Sequence, residues 1–227
     1  MTDWTLARIR TYYRAHAELV AGQLIGRSVR GYPPSDHPVV ITDASDVLAA
    51  TGSGVGGFLI SPQVSATGVV DRMLVTLVTG EGVDISIAAT TALALGELLG
   101  RGGVASVCAA DGQGGMILFV RPPAGDAGAA RIELAAVLDR YAELAPELAT
   151  TDPRLTDGRI LISAAASDPA VFSWAPYSLV PGAWPGVVMP LHDDDVAAVS
   201  AGMPLEIEPE DVADRIALRG DLLSAWL

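Results

Sequence analysis

Short apolar stretches alternate with polar turns along this chain, and both helix-like and strand-like spacings occur. From Thr5 to Gly26 the residues Leu6, Ile9, Tyr13, Ala17, Val20 and Leu24 recur at helical steps, and Gly26 is placed to end the helix. Gly31 to Pro34 reads as turn or extended chain, because proline biases the residue before it away from helical dihedrals. Pro38 to Thr42 is a short strand candidate. The glycine-rich run Gly52 to Gly57 lacks the Lys-Ser/Thr ending of a phosphate loop and reads as a flexible connection. Val69 to Val78 is mostly apolar and predicts a strand. After the turn Gly80-Glu81-Gly82, Asp84 or Ser86 can cap a helix running to about Leu99, which Gly100 to Gly103 end. Val104 to Ala109 and Met116 to Val120 predict two strands around the turn Asp111 to Gly115. Asp126 to Leu148 predicts an amphipathic helix, Arg159 to Ile162 a strand, and Asp193 to Val199 and Glu210 to Leu227 helices. Strands and helices mix without strict alternation, so the expected class is α+β. No repeat or low-complexity linker divides residues 1–227, which read as a single domain.

Composition narrows this reading. The chain has 227 residues, half of them hydrophobic, and a mean hydropathy of +0.39, enough to bury a core and too apolar for disorder. No apolar run is long enough to span a bilayer, and Met1 to Thr5 lacks the basic-then-apolar start of a signal peptide. The expected compartment is the cytoplasm. The lone Cys108 reads as a buried small hydrophobe. His16, His37 and His192 are spaced too widely for a zinc site, and no metal or other cofactor is expected. The net charge is −13, and all 14 basic side chains are arginine. Nucleic-acid binding needs a local cationic field, so this balance weakens the expectation of DNA binding without removing it.

The most specific stretch is Ser173-Trp174-Ala175-Pro176-Tyr177-Ser178-Leu179, followed by Pro181-Gly182-Ala183 and Met189-Pro190-Leu191. It resembles the end of the polymerase domain of bacterial ligase D, in the archaeo-eukaryotic primase superfamily. The tail from Glu210 to Ala217 with Arg219-Gly220-Asp221-Leu222-Leu223 is similar to that family's closing helix and Gly-Asp. Tyr12 to Ala17 with Ile25-Gly26-Arg27 resembles its first helix and the Gly-Arg after it. The resemblance implies a primase-polymerase-like fold, shortened between Phe58 and Met73, where the family has several dozen more residues including a histidine-bearing strand. It also implies template- and Mn²⁺-dependent nucleotide addition during end joining, with three aspartates holding two metal ions.

Carried over residue by residue, the family's Asp-x-Asp falls on Thr76 and Val78, and its third Asp on Ser163. The Ser-Lys-Gly-x-His turn that grips the nucleotide falls on Gln113, Gly114, Gly115, Met116 and Ile117. The Arg after Tyr-Ser-Leu falls on Val180. Three carboxylates, a Lys, a His and an Arg are replaced together, so the resemblance implies a scaffold that has lost the reaction. Thr, Val and Ser cannot supply carboxylate oxygens to a divalent cation.

Other candidates have plainer readings. Glu81 and Asp84 read as a turn residue and a helix cap. His192-Asp193-Asp194-Asp195 reads as an acidic helix start, since four successive residues point around most of a helix. His16 reads as packed or surface, and Asp43, Asp46 and Asp71 share no supporting spacing. Ser178 lacks a nucleophile-elbow pattern. Of Tyr12 and Tyr13, one is expected in the core and the other at the surface. Arg27 and Arg30 are the remaining phosphate-contact candidates. The leading expectation is a catalytically inactive homologue with an accessory role in double-strand break repair, acting with a protein partner. The alternatives are a weak DNA-end or nucleotide-binding module and an unrelated enzyme in a remodelled cleft.

Overall fold

The computed structural model describes residues 5–32, 37–123, 126–182, 186–205 and 207–224. Thr5 caps helix α1 (Leu6–Leu24), its hydroxyl accepting from the Arg8 amide, and Gly26 at φ +77° turns the chain out of it. Strands β1 (Arg27–Tyr32) and β2 (His37–Val39) follow; β1 covers part of the stretch read as a turn, and Pro33 and Pro34 lie outside the described residues. Helix α2 (Ala44–Gly52) starts at Asp43, whose carboxylate accepts from the Ser45 and Asp46 amides. Strand β3 (Gly57–Val64) begins where the glycine-rich run ends, so that run links a helix to a strand. Strand β9 (Ser173–Trp174) completes an antiparallel sheet in the order β2-β1-β3-β9. The short interval between Phe58 and Met73 therefore holds an interior strand of this sheet.

The second sheet has six strands. Its middle is β4 (Met73–Thr79), flanked by β6 (Met116–Val120) and β8 (Ile160–Ser163). Outward lie β5 (Ser106–Ala110) and β12 (Met189–Pro190) on one side and β7 (Ala149–Thr150) on the other. Helix α3 (Ile85–Arg101) is capped by Asp84 and packs across β4, β5 and β6. Helix α4 (Ala127–Leu144) is capped by Asp126 and stops four residues short of the expected Leu148, because the chain turns there into β7. A small hairpin joins β10 (Leu179–Val180) to β11 (Gly186–Val187); Ala183 lies outside the described residues.

Helix α5 (Asp193–Ser200) begins at His192, with Asp195 accepting from the His192 amide. Asp195 also holds Arg215 and Arg219 of the last helix, α6 (Val212–Arg219), at 3.3 and 3.4 Å. The acidic run is thus a helix start and an anchor for α6. The expected helix from Glu210 to Leu227 is shorter than its pattern: a 3-10 turn covers Pro209–Asp211, and Gly220 at φ +81° ends α6. Residues 225–227 lie outside the described residues. Among the described residues, no helix is long and apolar enough to cross a membrane.

Candidate functional site

The Ala175 to Leu179 stretch lies where the two sheets meet, and its polar atoms are almost all used to hold them together. The Ala175 amide donates to the Phe58 carbonyl at 2.9 Å, and the Tyr177 amide to the Val188 carbonyl at 2.7 Å. Ser178 is fully buried, and its Oγ accepts from the Phe58 amide at 2.8 Å. Tyr13 brings its hydroxyl within 3.2 Å of both the Gly56 carbonyl and Ser178 Oγ, and accepts from the Leu179 amide at 3.1 Å. Tyr12 donates to the Tyr177 carbonyl at 2.7 Å. Both tyrosines are buried, so the expectation that one lies at the surface is wrong. Tyr12 meets the Tyr177 backbone and Tyr13 meets the Phe58 ring and Ser178, so adjacent positions of α1 both face protein. Tyr177 adopts φ +61°, which L-residues rarely take, and its hydroxyl donates to the Asp221 carboxylate.

Burial raises the pKa of Tyr12, Tyr13 and Tyr177 above the ordinary 10, and for Tyr177 the Asp221 carboxylate adds to the effect. Above that value the unfolded chain releases phenol protons that the folded chain keeps. These groups therefore stabilise the fold fully below pH 10, and the contribution falls as pH climbs towards their folded values. The buried Cys108 thiol is raised from an ordinary 9 and has the same sign as the tyrosines, whereas burial depresses Arg72 to about 10, which acts in the opposite sense, so one group opposes four. The urea midpoint is expected to be level up to about pH 8 and to fall by about pH 11. A midpoint rising over that interval would show that the arginine dominates.

The second sheet carries the positions that sequence reasoning singled out. Thr76 and Val78 alternate on β4 and share one face; Thr76 pairs directly with Ser163 on β8, and Val78 with Leu161. The Thr76 hydroxyl donates to the Ser163 carbonyl at 3.3 Å. The three positions thus converge on one patch. Val78 is 51% exposed, and Thr76 and Ser163 are half-buried. Along the same face lie Leu74, Ala109, Ile117 and Phe119, covered by Val180, Val188 and Leu223. This part of the space between the sheets is filled with apolar side chains. The donor set at Thr76, Val78 and Ser163 is two hydroxyls and an isopropyl group, which does not fit a divalent cation.

The turn at Gln113 to Gly115 is closed from within. The Asp111 carboxylate accepts from the Gln113 amide at 2.6 Å and the Gly115 amide at 2.8 Å, so the amides that could face an anion already face one. Gly112, at φ +75°, touches Val180 and Gly186 of the β10–β11 hairpin. A methyl group on Gly186 would stand 2.0 Å from the Gly112 carbonyl oxygen, so the two backbones meet directly. Ile117 lies in β6 beneath the apolar cover.

Neither phosphate-contact candidate presents a spare cation. Arg27 is ion-paired with Asp71 at 2.6 Å and also reaches the Pro62 carbonyl. Arg30 stacks over the Phe172 ring at 4.0 Å. Among the other acids, Asp46 accepts from the Thr42 amide and hydroxyl, and Asp84 from the Ser86 amide. His16 is buried beside the Tyr12 ring, and burial lowers its pKa. Cys108 is buried, its thiol pushed up to about 12.

Sequence reasoning missed Arg72. It precedes β4, is 1% exposed, and lies 5.4 Å from the centre of the Phe119 ring. Its Nη2 donates to Gln23 Oε1 at 2.8 Å. Its Nε and Nη1 have no partner among the described residues, nor do Gln23 Nε2 and Asp71 Oδ1 beside it. A signal was present: an arginine opening a strongly apolar strand.

The family model for the LigD primase-polymerase domain matches residues 11–223. Among solved structures, the polymerase domain from Mycobacterium tuberculosis ligase D in complex with DNA is similar. The TM-score is 0.85 at 20% identity, covering 98% of this chain and 92% of that one. The superposition establishes the α+β primase-polymerase fold. Among curated proteins there is no match.

Proposed function

Because the chain belongs to the LigD primase-polymerase domain family, we propose that it is a member that keeps the family's frame and does not perform nucleotidyl transfer. The observation that carries this reading is the patch at Thr76, Val78 and Ser163. Thr76 and Val78 share one face of β4, Ser163 stands opposite Thr76, and none of the three is a carboxylate. Two-metal phosphoryl transfer draws most of its acceleration from cations held against the reacting oxygens, and hydroxyl and alkyl groups cannot hold them. Among the described residues, no group of three or more His, Cys, Asp or Glu is arranged for a metal ion elsewhere. The self-satisfied Asp111 turn and the apolar cover at Val180 support the same reading, and they weigh against a new enzyme in that space.

The role that remains is accessory: a cytoplasmic protein acting with a protein partner in double-strand break end joining. Primer extension on a gapped duplex with Mn²⁺ is expected to give no product above the protein-free control. Template-dependent extension that disappears in Glu81→Ala or Asp84→Ala would overturn the reading.

A DNA-binding module is the second reading, and one observation favours it: the similar ligase D domain is a DNA complex. Arg27 is spent on Asp71, which weakens it. A gel-shift titration is expected to show little binding even at low salt, where the phosphate contribution is strongest.

A further inference from the structure

We propose that Arg10 and Arg14 form a binding site for a phosphate group, separate from the space between the sheets. The two arginines are one turn apart on α1 and line a depression of about 410 Å³ with Leu48, Thr51 and Gly52 of α2. No carboxylate lines it. In this chain that is unusual: eight of the 14 arginines pair with a carboxylate among the described residues.

Arg10 is fixed in place. Its Nη2 donates to the Gly52 carbonyl at 2.6 Å, at the C-terminal end of α2. Its Nε is buried and has no partner among the described residues, although a buried donor without an acceptor costs about 1–3 kcal/mol. Capping of α2 accounts for Arg10 alone. It does not account for Arg14, which is exposed and whose side chain makes no hydrogen bond or ion pair among the described residues. Like charges one turn apart on a helix repel, and no carboxylate lies in the depression between them. A dianionic tetrahedral group answers each of these points. It neutralises both guanidiniums, accepts from several N–H donors at once, and meets one arginine whose entropy is already spent.

The chemistry is shared by free phosphate and by an organic phosphate monoester. Inorganic phosphate and glycerol phosphate are therefore titrated in parallel into the ¹⁵N-labelled full chain, with ionic strength held constant by sodium chloride. Saturable shifts are expected at the amides of residues 48–54 and at the Nε–H signals of Arg10 and Arg14. Arg14→Gln, which breaks no side-chain hydrogen bond or ion pair among the described residues, is expected to weaken binding by about tenfold or more while the rest of the spectrum is unchanged. Arg101→Gln, an exposed arginine paired with Glu97, is expected to change nothing. Tighter binding of glycerol phosphate assigns the organic source, and equal binding assigns free phosphate. Shifts that do not saturate, that chloride alone reproduces, or that persist in Arg14→Gln overturn the proposal.

Discussion

Arg72→Ala is expected to lower the unfolding free energy by about 2–5 kcal/mol, and Arg72→Met is expected to cost less. Alanine removes the side chain that lies against Phe119 and leaves Gln23 Oε1 without its donor, and a buried space opens. Methionine refills most of that volume. It also removes a desolvated cation with two unpartnered N–H groups and a like charge, Arg27, close by. Against this stand the lost attraction to Asp71 and Asp221 and, as in alanine, the lost donor to Gln23 Oε1. The gap between the two variants in urea or thermal unfolding is the readout. If methionine costs as much as alanine, the fold needs the charge and not the volume.

The second large effect is expected at the clasp. Tyr13→Phe leaves the Leu179 amide and the Gly56 carbonyl without this partner in a buried setting, at a cost of about 1–3 kcal/mol. Ser178→Ala does the same to the Phe58 amide, with a similar cost. The two hydroxyls share one network, so the double variant is expected to lose less than the sum of the singles, by about 0.5 kcal/mol or more. Strict additivity would mean that the two hydroxyls act independently and the 3.2 Å approach carries no energy.

These residues explain why the most specific stretch of the sequence says more about architecture than about chemistry. Ala175 to Leu179 bonds to α1, to β3 and, through Asp221, to the C-terminal segment. The family and fold were legible because the stretch that carries the resemblance is also the joint of the frame.

Elements with strong periodicity or clear caps were legible too: α1 from Thr5, α3 from Asp84, and the apolar strands β4, β5 and β6. The elements missed have local signals that point elsewhere. Strand β3 contains Pro62, tolerable because β9 pairs only with Leu59 and Ile60 and makes no demand for an amide there. Helix α2 is only nine residues, mostly small, and its N-terminus is capped by Asp43. Strand β1 is interrupted by two arginines, and what holds them, Asp71 and Phe172, is remote in sequence. At the candidate site, the positions of Thr76, Val78 and Ser163 followed from the resemblance, but the cover over that face did not. Leu223 and Val188 come from distant segments, and only the tertiary structure brings them onto one surface.

The direct contact of Gly112 with Gly186 also bears on how such a chain could change. The turn and the hairpin stay shut only while both positions carry hydrogen in place of a side chain. One nucleotide change turning Gly186 into alanine would force them apart at one edge. Loosening that edge is thus one mutational step away, although Val188 and Leu223 would still cover the face beneath it. Placing carboxylates at Thr76, Val78 and Ser163 takes at least three steps, so room at the edge and ligands for a metal would not be acquired together.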